Sequence, residues 1–318
     1  MWTYLIIFVL SCVLLVKSGA WVVRSLIQIA KYFKMTEFVV AFILMAFATT
    51  MPELFVGITS ALHGRPELSF GNIIGSNIIN LTLAVAIGVL VAKGLKCEGA
   101  VIQRKSVYTM VIAFLPILLM LDGSISRVDG VILLLALAIY LQRVFYHKER
   151  FTRVFNNAFY REWQRFKFFL KDIGLFLLSL ALLLVSAEGI VWSATNLAVF
   201  LGLPLMFIGA ILIALGTNLP EITFGVKAIT MGYKDMVLGN LLGAVVANST
   251  LVLGITVLIH PLVVPNITPY LTGIVFIIAA VLFFTLFSRT QQEINKKEAL
   301  FLLLLYLGFV AAEILMNY

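Results

Sequence analysis

Apolar residues run through this chain in long unbroken stretches rather than in alternation. The stretches fall at roughly 3–30, 37–62, 68–92, 106–121, 128–146, 170–200, 204–230, 236–259, 269–288 and 298–316. A helix needs about 20 predominantly apolar residues to cross a bilayer, so the pattern predicts ten transmembrane helices, with 106–121 the shortest. Continuous apolarity argues against a membrane β-barrel, whose strands alternate apolar and polar positions. The first run, Thr3 to Val16, has no basic stretch before it and no small-residue cleavage site after it, so it reads as a span and not as a signal peptide.

The polar gaps between the runs carry an orientation signal. With each of the 23 Lys and Arg residues assigned to its nearest gap, only Arg65 and Arg127 fall in even-numbered gaps, and Lys17 lies inside the first span. All the others cluster in odd-numbered gaps. Basic residues concentrate in cytoplasmic loops, so the odd gaps are expected in the cytoplasm and both termini outside. The sizeable polar segment, 147–169, is basic with interleaved aromatics and reads as a cytoplasmic linker or interfacial helix on anionic lipid. It divides the chain into 1–146 and 170–318.

Composition adds exclusions. The chain is 62% hydrophobic and 12% charged over 318 residues, against about 25% charged in a soluble protein. The net charge of +8 follows topology, so nucleic-acid binding is discarded. Cys12 and Cys97 lie far apart and spell neither a disulfide framework nor a metal site. No nucleophile–base pair stands at helical spacing, so the chain does not read as an enzyme. The expected partners are the lipid bilayer of the cell membrane and inorganic cations, and the chain is expected to act as a monomer without a resident cofactor.

Shifting the sequence by 168 residues aligns two blocks without a gap: AFATTMPELFVGITSALHGRPELSFGNIIGSNIINLTL, from Ala46, and ALGTNLPEITFGVKAITMGYKDMVLGNLLGAVVANSTL, from Ala214. Identical pairs include Ala46/Ala214, Thr49/Thr217, Pro52/Pro220, Glu53/Glu221, Gly71/Gly239, Asn72/Asn240, Gly75/Gly243 and Asn80/Asn248. Five spans separate the copies. An odd number places them upside down relative to each other, which gives two inverted five-helix repeats with a binding site expected near the midplane.

Glu53 and Glu221 each follow a proline inside an apolar span. An intramembrane charge costs several kcal/mol, by about 3 on insertion scales. Proline removes a donor and clashes with the carbonyl four residues earlier, which frees carbonyls around Ala46 to Thr50 and Ala214 to Asn218. A cation answers both problems, because it neutralises the carboxylates and binds the carbonyls. Ser76 and Asn80 lie on one face of the third span, with Ala244 and Asn248 as counterparts, while Gly71 and Gly75 permit close packing. Thr49 and Thr217 add hydroxyls, or else bond back within their helices. The resulting all-oxygen set suits a hard cation such as Ca²⁺, which takes six to eight oxygens, and not Zn²⁺ or Cu⁺. Elsewhere, Lys17 and Glu188 are expected to pair across the halves or Lys17 to snorkel, and Glu313 to lie at the interface.

The blocks AFATTMPEL with GNIIGSNIIN, and ALGTNLPEI with GNLLGAVVAN, resemble the two alpha-repeats of the calcium:cation antiporter superfamily, and most of all those of the prokaryotic sodium/calcium exchangers. The resemblance implies Glu53 and Glu221 as shared Ca²⁺ and Na⁺ ligands, and Thr49 and Thr217 through hydroxyl or carbonyl. It also implies Ala46 and Ala214 through carbonyls, Ser76 and Asn80 on span three, and sliding of the first and sixth spans. The chain departs from the family pattern at Ala48, Thr50, Asn218, Ala244 and Asn248, where Gly, Ser, Ser, Ser and Asp are usual. Exchange of Ca²⁺ for Na⁺ is the leading expectation, and exchange of Ca²⁺ for H⁺ or another cation at the same two-Glu site is the alternative.

Overall fold

The computed structural model describes residues 1–32, 50–96, 100–146, 162–230, 234–289 and 293–317. Residues 37–49 of the expected second span, with Ala46 and Thr49, lie outside the described residues, as does 147–161 of the expected linker. The chain is mostly helical. Helix α1 is Trp2–Tyr32, α2 Met51–Leu62, α3 Pro66–Ala92, α4 Ala100–Leu119, α5 Arg127–Tyr146, α6 Glu162–Leu201 and α7 Leu205–Thr230. Then follow α8 at 234–259, α9 Thr268–Arg289 and α10 Lys296–Asn317. Among the described residues seven helices are long and apolar enough to cross a membrane: α1, α3, α6, α7, α8, α9 and α10, with α2 a shorter apolar helix. The end of the expected linker, from Glu162, is the start of the 40-residue α6.

Helix α3 is the centre of the molecule: 83% of its spanning window is buried, against 33% for α1 and 28% for α6. It reaches that position by losing side chains. A Cβ on Gly71 would strike the Met206 carbonyl, and one on Gly75 the Ala210 carbonyl. Gly209 would in turn strike the Leu68 carbonyl. The backbones of α3 and α7 therefore touch at a crossing that only glycine permits, as close helix packing in lipid requires.

Helices α1 and α6 make the most extensive contact in the fold and expose most of their remaining surface. Their buried sides carry Ser18 and Ser25 on α1, and Ser179, Ser186 and Ser193 on α6. Each hydroxyl donates to the carbonyl four residues earlier, at 2.5 to 2.8 Å. That bond hides the polar group inside its own helix and leaves a small, smooth side chain at the interface. Gly189 leaves room for the Ser11 hydroxyl, and Tyr4 meets Trp192 edge to face at 5.4 Å.

Two short antiparallel pairs tie the loops. Strand β1 (Leu95–Lys96) pairs with β4 (Glu293–Ile294), and β2 (Ser124–Ile125) pairs with β3 (Leu262–Val263). Each links a loop of the first half to a loop of the second.

Candidate cation site

The two Glu-bearing segments start in the same way. Helix α2 begins at Met51 with Pro52 and Glu53 in its first turn, behind Thr50 at φ −89°, ψ 0°. In α7 the break falls at Asn218, at φ −85°, ψ −1°, and Leu219, Pro220 and Glu221 open the next turn. Proline is tolerated there because a first-turn N–H has no intrahelical acceptor. The carboxylate that follows sits at the positive end of the new helix segment. Both Glu53 and Glu221 are fully buried.

The helices that face them also deform together. Asn80 opens a π turn, Asn80–Ala84, inside α3, and Asn248 opens the matching one, Asn248–Val252, inside α8. A π turn adds a residue to one loop of helix and re-aims the side chains at its start, often at functional positions. Asn80 and Asn248 are both buried.

Around these four residues lies a dense set of buried polar groups. The Asn218 amide donates to Ser76 Oγ at 2.6 Å and to the Ala214 carbonyl at 2.8 Å. Thr217 Oγ1 donates to Asn72 Oδ1 at 3.1 Å, and Ser76 Oγ lies 3.4 Å from the same oxygen. Asn77 donates to Ser249 Oγ at 2.8 Å and accepts from Asn248 Nδ2 at 3.4 Å. Thr50, Ser76, Thr217, Asn218, Asn80, Asn248, Glu53 and Glu221 are all buried in this central region. Asn72, Asn77, Asn240 and Ser249 join them and were not among the expected ligands. Asn72 and Asn240 could have been found, since they are an identical pair in the repeat. Asn77 and Ser249 stand opposite Val245 and Leu81, so the repeat gives no sign of them.

Three expectations are corrected. The Ala214 carbonyl is not freed by Pro220. In this structure it accepts the Asn218 backbone N–H at 3.1 Å as well as the Asn218 side chain. The break is stitched by the residue that makes it. Of the two expectations for Lys17, pairing with Glu188 or snorkelling, the pair does not form: Glu188 bonds His63 Nε2 at 2.8 and 2.9 Å, and Lys17 is exposed. The imidazole lies at the C-cap of α2, within reach of α6, whereas α1 carries Lys17 outward. Glu313, expected at the interface, is fully buried in α10.

The donor set fits a hard cation. Both oxygens of Glu53 and the Oδ1 atoms of Asn80, Asn218, Asn240 and Asn248 are buried without a hydrogen-bond partner among the described residues. A buried acceptor left unsatisfied costs about 1–3 kcal/mol, more when charged, and native proteins keep few of them. These six oxygens, two of them the Glu53 carboxylate and four of them amide oxygens, are the donor type of the all-oxygen shell that Ca²⁺ takes. Among the described residues no group of three His, Cys, Asp or Glu converges, so the donors are amides and hydroxyls around the two Glu.

The fold and this site define a multi-pass membrane protein with a buried polar centre. The sodium/calcium exchanger protein family matches residues 3–146 and 171–315, and the chain belongs to that family. It is 28% identical over 340 residues to the sodium/calcium exchanger MaX1 of Methanosarcina acetivorans, covering 96% of this chain and 97% of that protein. It is 26% identical over 261 residues to the inner membrane protein YrbG of Escherichia coli, covering 80% and 79%. Among solved structures it is similar to the sodium-calcium exchanger NCX_Mj soaked with Na⁺ and Sr²⁺, at TM-score 0.67 and 25% identity over 98% of both chains. The H⁺/Ca²⁺ exchanger CAX shares the fold, at TM-score 0.75 and 16% identity over 98% of this chain and 87% of that one.

Proposed function

We propose that this chain is a secondary antiporter of the cell membrane that exchanges Ca²⁺ for Na⁺ by alternating access. In this reading ten spans form two inverted five-helix halves, 1–146 and 170–318, joined by a cytoplasmic linker at 147–169, with both termini outside and a monomer as the working unit. Glu53 and Glu221 bind the transported ion, with oxygens from Thr49, Thr50, Ser76, Asn80, Ala46, Ala214, Thr217, Asn218 and Asn248.

The observation that carries this reading is the pair of fully buried glutamates, each in the first turn of a proline-started helix, with the amide oxygens of Asn80, Asn218 and Asn248 buried and without a hydrogen-bond partner among the described residues. The short strands support the inversion. β1 and β4 lie in gaps expected on the cytoplasmic side, β2 and β3 in gaps expected outside, and each strand pairs with one from its own side. The thinly buried α1 and α6, in contact along serines, are the elements free to slide. A Cβ on Gly19 of α1 would lie 3.5 Å from the Pro52 ring, and one on Gly216 would strike Cys12 of α1, so α1 packs against both proline-bearing segments. A shift of α1 therefore opens or covers the site.

Exchange of Ca²⁺ for H⁺ is the second reading, and the observation that favours it is Asn248, an amide at a position where the family often has Asp. The test is Ca²⁺ uptake into proteoliposomes under an imposed Na⁺ gradient at fixed pH, compared with an imposed pH gradient without Na⁺. Uptake driven by Na⁺ alone supports the first reading, uptake driven only by pH supports the second, and uptake without any countering gradient overturns both in favour of a channel.

A further inference from the structure

We propose that Asn218 fills an oxygen-lined subsite beside Glu221 with its own amide group, and so determines how many monovalent cations the site accepts. The inference rests on the reading of Glu53 and Glu221 as cation ligands and goes one step further.

The geometry is specific. Asn218 Nδ2 carries two hydrogens, and the structure gives it two acceptors: Ser76 Oγ at 2.6 Å and the Ala214 carbonyl at 2.8 Å. Around the same point stand the Thr217 hydroxyl, 3.5 Å from the Ala214 carbonyl, and Asn72 Oδ1, which Thr217 and Ser76 both address. Hard cations such as Ca²⁺ hold oxygens at about 2.3–2.6 Å. The amide nitrogen holds two of these oxygens at nearly that separation, so it sits where an ion bound to them would sit. The positive end of the amide dipole does the work of a cation while adding no charge. Asn218 also precedes Glu221 by three residues, and its carbonyl accepts the Ile222 N–H at 3.1 Å, so it opens the turn that carries the carboxylate.

The other half lacks this device. Its counterpart of Asn218 is Thr50, and its counterpart of Ser76 is Ala244. A long amide is matched with a hydroxyl in one half, whereas the other half has a short hydroxyl and a methyl. The Asn218 Oδ1 atom, buried and without a partner among the described residues, remains free to face an ion in the main site. Asn218 is thus both a ligand and a plug.

The test compares the full-length wild-type chain with Asn218→Ser and Asn218→Asp, purified in detergent and reconstituted. Radioactive sodium bound at saturation is counted per chain, and Na⁺-dependent Ca²⁺ uptake is measured in parallel. Asn218→Ser is expected to bind one more Na⁺ than wild type and to raise the Hill coefficient for Na⁺. Asn218→Asp keeps the side-chain volume, loses the donors and is expected to gain a thermal stabilisation by Na⁺ larger than that of wild type. An unchanged sodium count in the first variant, or no added stabilisation in the second, overturns the proposal. A rise in sodium count without Ca²⁺ exchange by any of the chains supports the subsite and sinks the antiporter reading, and exchange with an unchanged count does the reverse.

Discussion

The block from Thr50 to Ala92 and the block from Asn218 to Ile259 share a backbone and differ in chemistry. Both have a residue of nearly identical φ and ψ just ahead of a proline and a buried glutamate, and both place a π turn at an asparagine. The side chains around those asparagines do not correspond. Ser76 and Asn77 of α3 face no equivalents in α8, which has Ala244 and Val245. Three of the hydrogen bonds across the centre run onto α3, Thr217 to Asn72, Asn218 to Ser76 and Asn248 to Asn77, and one runs back from Asn77 to Ser249 of α8. Symmetry of backbone follows from a repeated pattern of glycine, proline and apolar residues. Symmetry of ligands would need the polar residues to match one by one, and they do not.

The largest effects should come from the feature that both halves share. Glu53→Gln and Glu221→Gln each remove one carboxylate from a buried charge cluster, a loss of about 3 kcal/mol or more, which is roughly 100-fold in ion affinity. Exchange in proteoliposomes should be abolished in both. If one variant keeps more than a tenth of wild-type flux, the halves are not equivalent even at the glutamates.

A smaller effect separates the two asparagines. Asn80 has neither amide atom bonded among the described residues, whereas the Asn248 amide meets Asn77 Oδ1 at 3.4 Å. Added ligand charge tightens Ca²⁺ sites. Asn80→Asp should therefore raise Ca²⁺ affinity by about tenfold, and Asn248→Asp by less, because its new carboxylate opposes an amide oxygen. Calcium titration of the purified variants decides this, and equal gains would remove Asn77 from the account.

Two glycines compare packing. A Cβ on Gly57 would meet Thr256 Oγ1 at 2.8 Å and Ser69 Oγ at 3.0 Å, pressing on the 3.0 Å bond between those hydroxyls. Its counterpart Gly225 would meet only Val237 Cγ1, at 3.5 Å. Overpacking costs about 1–3 kcal/mol, while alanine in an open helical position gains up to about 1 kcal/mol over glycine. Gly57→Ala should lower the thermal midpoint in detergent and Gly225→Ala should hold or raise it. The smallest effect belongs to the ion pair of His63 with Glu188, whose counterparts are Met231 and Ala20. Both side chains are about half exposed, at 48% and 54%, and such pairs contribute about 0–1 kcal/mol. Glu188→Gln should leave the midpoint within a few degrees of wild type.

The multi-pass membrane character and the glutamates inside apolar segments were legible in the sequence because lipid makes strict demands. Each crossing needs a long apolar run, and a carboxylate inside one stands out. The repeat offset then tied Glu53 to Glu221 before any coordinate was known. Less legible were contacts between residues far apart in sequence. His63 and Glu188 are 125 positions apart, and each strand of the loop pairs has two residues, too few to leave a pattern. Glu313 looked interfacial from its place near the chain end, yet it lies fully inside the helix packing.

The sequence by itself determined the family, the buried carboxylate pair and the inventory of amides and hydroxyls around it. Those follow from residue identity and spacing, which the bilayer constrains residue by residue. Only the tertiary structure decided which oxygens are already taken. The Ala214 carbonyl accepts both the Asn218 backbone N–H and the Asn218 side-chain amide, and the same amide also donates to Ser76 Oγ on another helix. Hydrogen-bond partners are a property of three-dimensional proximity, which residue identity and spacing along the chain do not reveal.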